Sequence, residues 1–332
     1  MQSMPAVTAK RSARRSYHAA RRAALGKHDI ERRAQYLSKT SHITLVRQSL
    51  WRHKAQMPPV SQPLDIFDSK RRRVFQERAG RRSGDRFLWQ IIADDLADRL
   101  LDVTRQFNDV LIIGPMAAYG AHIMADREAQ VTVALLIDED RLPFAVASFD
   151  LIICAGTLDS VNDLPGALIQ LRRCLRPDGL FLGHMFGAGT LASLKSALLE
   201  AEGERPSPHV HPQIDVRSAA DLLTRAGFAL PVVDTDATTV RYRYWRTLVG
   251  DIRDMGVGNA LAGARPYLGR AIAARIDDAW KTRSSVDGKV AEHFVHIHLS
   301  GWGPSNDQPQ PAKRGSGKVS LASVLSSIQP AG

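Results

Sequence analysis

Two short runs place chemically capable side chains at suggestive spacings. In Ser207-Pro208-His209-Val210-His211-Pro212 the two imidazoles alternate as they would on a strand, a spacing that can hold a metal ion. No cysteine or carboxylate adjoins them. A loop stiffened by Pro208 and Pro212 is therefore the better reading, with His209 as a substrate contact. Asp234 and Asp236 also alternate, at a strand end, where paired carboxylates serve as acid and base or form a solvated rim. His296 and His298 share one face of a strand near the C-terminus, and packing within a sheet accounts for them. Cys154 and Cys174 sit in apolar segments as reduced thiols and exclude a cysteine-based zinc or iron–sulfur centre. No Ser-His-Asp or Cys-His nucleophile and no phosphate loop stands out, and no metal is expected.

The elements that must position these groups alternate between apolar strands and helices. Strands are expected at Val110–Ile113, Val131–Ile137, Phe149–Cys154, Leu180–His184, Phe228–Val233 and Phe294–Leu299. Helices are expected over 87–103, 163–176, 190–202, 217–226, 245–255 and 266–281. In the second of these, Asn162 is placed to cap the helix and Pro165 suits its first turn. Such alternation predicts a parallel sheet covered on both faces. Ligands in such sheets lie beyond the carboxyl ends of the strands, so chemistry is expected just after 113, 137, 154 and 184.

The chain has 332 residues, 44% apolar and 24% charged, which excludes wholesale disorder and collagen-like repeats. No apolar run approaches the roughly 18–20 residues that span a bilayer, so a soluble, intracellular protein is expected. Residues 1–64 carry thirteen Lys and Arg against Asp29 and Glu31, so the whole net charge of +11 resides there. This leader reads as a targeting segment, as sequence upstream of a start at Met57, or as a nucleic-acid arm. The arm is the weakest reading, because Tyr17, Tyr36 and Trp51 are not spaced as a stacking platform. The expected organisation is a basic leader with Pro-rich linker over 1–64, one domain over 65–300, and a Pro/Gly/Ser-rich tail over 301–332.

The strand ends carry a pattern that resembles class I S-adenosylmethionine (SAM) methyltransferases. It consists of Asp138-Glu139-Asp140-Arg141-Leu142-Pro143-Phe144, Ser148-Phe149-Asp150-Leu151-Ile152 and Leu175-Arg176-Pro177-Asp178-Gly179. With Ile66-Phe67-Asp68, Val161-Asn162-Asp163-Leu164-Pro165, Ser207-Pro208-His209 and Val233-Asp234-Thr235-Asp236, the body is similar to the methyltransferase-fold assembly factors of respiratory complex I. The resemblance covers roughly Asp65 to Leu325. It implies an α/β fold with a Rossmann-like methyltransferase sheet and helices on both faces, and SAM as cofactor. The implied partner is a protein client such as a complex I subunit, with no nucleic acid. The Ala- and Arg-rich composition and the start at Met57 point to a bacterial cytoplasm, with the mitochondrial matrix as the alternative.

The resemblance also has departures. The family ends its first strand in an acid and a G-x-G-x-G turn that lets backbone approach the ligand. Here Leu111-Ile112-Ile113-Gly114-Pro115-Met116 retains only Gly114; Ile112 replaces the acid, and Pro115 removes an N–H. Residues 121 to 137 suffice for one helix and one strand, so the sheet is expected to be one strand–helix unit short, and Asp126 and Glu128 are poor substitutes for the ribose-binding acid. Asp159 and Ser160 stand where the family has a His-Trp pair.

Two functions follow. The first is a SAM-dependent methyltransferase or related modifier of a protein arginine, with Gly114, Asp138 and Glu139 touching cofactor and His209 and Asp234 facing substrate. The second is a catalytically inactive methyltransferase fold that holds a complex I subunit during assembly.

Overall fold

A computed structural model of the chain describes residues 43–45 and 65–308, apart from 126, 136, 137, 140, 205 and 265. The readings of the leader beyond 43–45, the start at Met57, Asp126 and the tail after 308 fall outside the described residues.

Among the described residues seven strands form one sheet: β1 (Ile43–Leu45), β2 (Asp109–Ile113), β3 (Gln130–Ala134), β4 (Phe149–Ala155), β5 (Leu175–Phe186), β6 (Ala229–Tyr242) and β7 (Val290–Trp302). Their order across the sheet is β1-β3-β2-β4-β5-β7-β6, with β7 antiparallel to both of its neighbours and the other pairs parallel. Among the described residues the eight α-helices are α1 (Ser69–Gly80), α2 (Phe87–Leu101), α3 (Gly120–Ile123), α4 (Leu164–Cys174), α5 (Ala192–Glu202), α6 (Val216–Arg225), α7 (Trp245–Met255) and α8 (Arg270–Thr282). None of the described helices is long and apolar enough to cross a membrane.

Alternation along the central strands divides the core in two. Val110, Ile112, Leu151, Ile153, Leu180 and Leu182 face one side, which α2, α5, α7 and α8 cover. Leu111, Ile113, Ile152, Cys154 and Phe181 face the other, which α4 and α6 cover. The expected α/β sheet with helices on both faces is therefore the observed one.

Between β2 and β4 the described chain holds α3 and β3, matching the short spacing there. The place beyond β3 is taken by Ile43–Leu45, which runs parallel to it in the register Ile43↔Val131 to Leu45↔Val133. A domain drawn from residue 65 omits this strand.

Local signals explain the helix starts. The carboxylates of Asp68, Asp163 and Asp215 accept backbone N–H bonds from Arg71, Gly166 and Ser218 at the first turns of α1, α4 and α6. The expected cap Asn162 does something else. Its amide clamps the Phe67 backbone, accepting from the N–H at 2.8 Å and donating to the carbonyl at 2.9 Å. Asp163 caps the helix instead, its carboxylate accepting the Gly166 N–H at 2.8 Å. β6 continues to Tyr242, well past the expected Val233, and its second half alternates polar residues along the sheet's antiparallel edge.

Candidate functional site

The turn after β2 is closed. Gly114 has φ +83°, a left-handed conformation that glycine tolerates. A Cβ added to it would stand 2.6 Å from Thr157 Cγ2 and 3.0 Å from the Ala155 carbonyl, so the space beside this glycine is already occupied. Its N–H donates to the Ala134 carbonyl at 2.9 Å. Met116 is fully buried in the core under α2 and does not project toward a ligand. The residues present at this turn do not fit the amino-acid end of SAM in the manner the resemblance implies.

The two acids read as cofactor contacts are held by α1. Arg72 donates to Glu139 at 2.7 Å in a pair that leaves the Glu139 side chain 2% exposed, and it also reaches the Ser160 carbonyl at 3.3 Å. Arg73 lies 3.6 Å from Asp138, and both of these side chains are exposed. The basic run of the sequence thus lies across the strand ends and neutralises the acids there.

Next to this closed region lies a cavity of about 810 Å³ over the carboxyl ends of β4 and β5. Gly156, Asp159, Ser160 and Phe186 form its floor. Apolar side chains of α5 and α7, among them Leu194, Leu198, Val249 and Ile252, form one wall. Phe75 and Gln76 of α1 face them, and Arg78 and Arg253 stand exposed at the rim. Gly156 keeps the floor open to the core: it has φ +81°, and an added Cβ would stand 2.4 Å from the Trp89 ring. Trp89 is fixed from below, its indole N–H donating to the Met255 carbonyl at 3.1 Å.

Asp159 is the carboxylate of this cavity. Burial raises its pKa, and the backbone N–H groups of Phe186 and Asp159 together with the Arg72 charge oppose that shift. A carboxyl on the floor of an apolar cavity is suited to a cation carried on an apolar stem.

The loop after α5 closes the cavity from the side. Glu202 accepts the Ser207 N–H at 2.7 Å and pairs with His209 Nε2 at 2.7 Å. His209 lines the cavity as a result. His211 is turned away from any shared metal geometry with it: its Nε2 accepts the Ala260 N–H at 2.9 Å, and its ring meets Phe67 edge-on at 5.0 Å. Burial lowers the His211 pKa to about 4, consistent with the neutral acceptor.

Asp234 stands apart from this group. It lies on β6, engaged through both oxygens by Arg99 at 2.7 and 2.8 Å, and does not line the cavity. Of the five residues singled out in the sequence, His209 alone lines the cavity, while Asp138 and Glu139 meet α1, and Gly114 and Asp234 lie elsewhere. Arg72 and Trp89 were missed because their partners are distant in sequence. Asp159 was visible only as a departure from the family pattern.

A parallel sheet with one antiparallel strand, and a cavity at its carboxyl ends, define a methyltransferase-type fold. The chain belongs to the methyltransferase domain family, whose sequence pattern matches residues 63–231. It is 34% identical over 291 residues to "Arginine-hydroxylase NDUFAF5, mitochondrial" of Mus musculus, covering 79% of this chain and 84% of that protein. It is 33% identical over 301 residues to the Homo sapiens protein of the same name, covering 81% and 86%. A malonyl-[acyl-carrier protein] O-methyltransferase of Xylella fastidiosa is 33% identical over 177 residues, covering 53% of this chain and 59% of that protein.

Proposed function

We propose that this chain modifies an arginine side chain of a protein, received in the cavity above β4 and β5. The observation that carries the reading is Asp159, a carboxyl on the floor of an otherwise largely apolar cavity of about 810 Å³. An arginine matches that layout, its methylene stem lying along Leu194, Leu198 and Ile252 and its guanidinium meeting the acid. Arg72, already neutralised by Glu139, helps fix the floor through the Ser160 carbonyl. The names of the mouse and human relatives, arginine-hydroxylases, support the same side chain as target.

Membership of the methyltransferase domain family supports SAM as the cofactor. The crowding beside Gly114 and the adjoining cavity support a SAM position on the side of the cavity, away from the glycine turn. The resemblance to complex I assembly factors supports a subunit of that complex as the protein partner. The word mitochondrial in the relatives' names supports a mitochondrial compartment.

The test is mass spectrometry of candidate complex I subunits after incubation with the chain and SAM. An arginine gaining one methyl group, with SAM leaving as S-adenosylhomocysteine, is expected, or, in a parallel reaction supplied with dioxygen and a two-electron donor, one oxygen atom with the other leaving as water; Asp159→Asn should abolish the gain while leaving the fold intact. Unmodified subunits that nevertheless bind the chain would replace this reading with that of an inactive fold acting in assembly.

A further inference from the structure

We propose that Asp95, Asp236 and His298 bind a divalent transition-metal ion at the antiparallel edge of the sheet, apart from the cavity. One ligand atom from each can be chosen so that all three lie within 4.8 Å of one another. They come from three elements, α2, β6 and β7, that sequence alone does not bring together.

The His298 ring points to a ligand independently of the acids. It is 4% exposed, and its Nδ1 is buried without a hydrogen-bond partner, although Asp95 Oδ2 lies only 3.1 Å away. Two groups near each other but not aimed at each other are what a shared ion requires. Donors about 2.0–2.2 Å from one tetrahedral ion stand a little over 3 Å apart, each directed at the ion.

Charge supports the same occupant. Asp95, Asp234 and Asp236 gather around the Arg99 guanidinium, which bonds to the first two. Three carboxylates therefore face one fixed cation. A divalent ion restores the balance.

The surroundings resemble a supporting shell. Arg99 fixes Asp95 through Nε at 2.6 Å and is itself fixed by Asp234. The His298 ring is packed against those of His184 and His296, at centroid distances of 5.3 and 6.1 Å. Asp95 and Asp236 are partly exposed, which leaves an entry path. One imidazole with two carboxylates suits Zn²⁺, Mn²⁺ or Fe²⁺ rather than a soft or an all-oxygen ion.

The experiment uses the full chain, stripped with a chelator and titrated with Co²⁺ as a visible probe and with Zn²⁺. One equivalent of Co²⁺ with ligand-field absorption is expected, and Asp95→Asn and Asp236→Asn should each weaken binding by about tenfold or more. Ring nitrogen NMR of the unsubstituted protein gives a check that needs no variant, and His298 should shift on adding Zn²⁺. No uptake, uptake unchanged by both substitutions, or an unmoved His298 signal would each overturn the proposal.

Discussion

Arg72 of α1 and Glu139 beyond β3 form a buried ion pair at 2.7 Å, with side chains 11% and 2% exposed. The pair joins α1 to the strand ends and occupies an acid that the family resemblance assigns to cofactor. Removing one partner leaves the other charge buried and uncompensated. Arg72→Ala should therefore lower stability by about 3–5 kcal/mol, measured by urea denaturation. The double change Arg72→Met with Glu139→Leu should cost much less. A single-variant loss below about 1 kcal/mol would show that the pair does not hold α1 in place.

Met116, two residues after Gly114, is wholly buried in the core. Met116→Gly should thus destabilise the protein by about 3–5 kcal/mol through lost packing and backbone freedom. It should not improve SAM binding, which calorimetric titration would measure. Tighter SAM binding by this variant would contradict the position described for the side chain.

Gly156 is intolerant for two separate reasons, a φ of +81° and the Trp89 ring against its missing Cβ. Gly156→Ala should lower the thermal midpoint and quench or shift Trp89 fluorescence as the ring moves. The combined backbone and steric cost is about 2–4 kcal/mol. A stable variant with unchanged fluorescence would refute the contact.

Burial lowers the pKa of His211 and of His296 to about 4, against about 6.5 in an unfolded chain. Between these values the unfolded chain holds the additional proton. Stability should therefore rise with pH across that window and decline as pH falls from about 6.5 toward 4. Below about 4 both states are protonated, and this contribution stops changing. His211→Asn should remove up to about one proton from the slope, read from denaturation midpoints at a series of pH values. An unaltered slope would show that His211 is not held neutral by the fold.

Glu202 pins the loop after α5 through the Ser207 N–H and His209. Glu202→Ala should speed amide exchange at 206–211 and leave exchange in β4 and β5 unchanged. Each lost bond is worth about 1–3 kcal/mol locally. Equal protection in the two proteins would mean that the loop is held by its prolines alone.

The central strands were legible because both faces of β2, β4 and β5 are buried, so each reads as a continuous apolar run. α7 was found at its observed ends, Trp245–Met255, because its amphipathic spacing is strong and Gly256 stops it. The far half of β6 was missed, since Thr238, Thr239 and Arg241 lie on an exposed edge without an apolar signature. The site was harder still. Asp159 meets Phe186, and Arg72 meets Glu139, only after crossover connections have folded, and no local pattern encodes those meetings. The strand of Ile43–Leu45 was hidden for another reason, a short Ile-Thr-Leu triplet within a strongly basic segment.

That triplet has a consequence for how the protein behaves in concentrated solution. β1 covers the outer backbone groups of Val131–Val133. Deleting residues 1–56 would leave this rim of β3 as an open template for another chain. The truncated protein should then self-associate through the bared rim as its concentration rises, while the longer form stays dispersed. The residues that look most dispensable in the sequence would in that case act as its guard against aggregation.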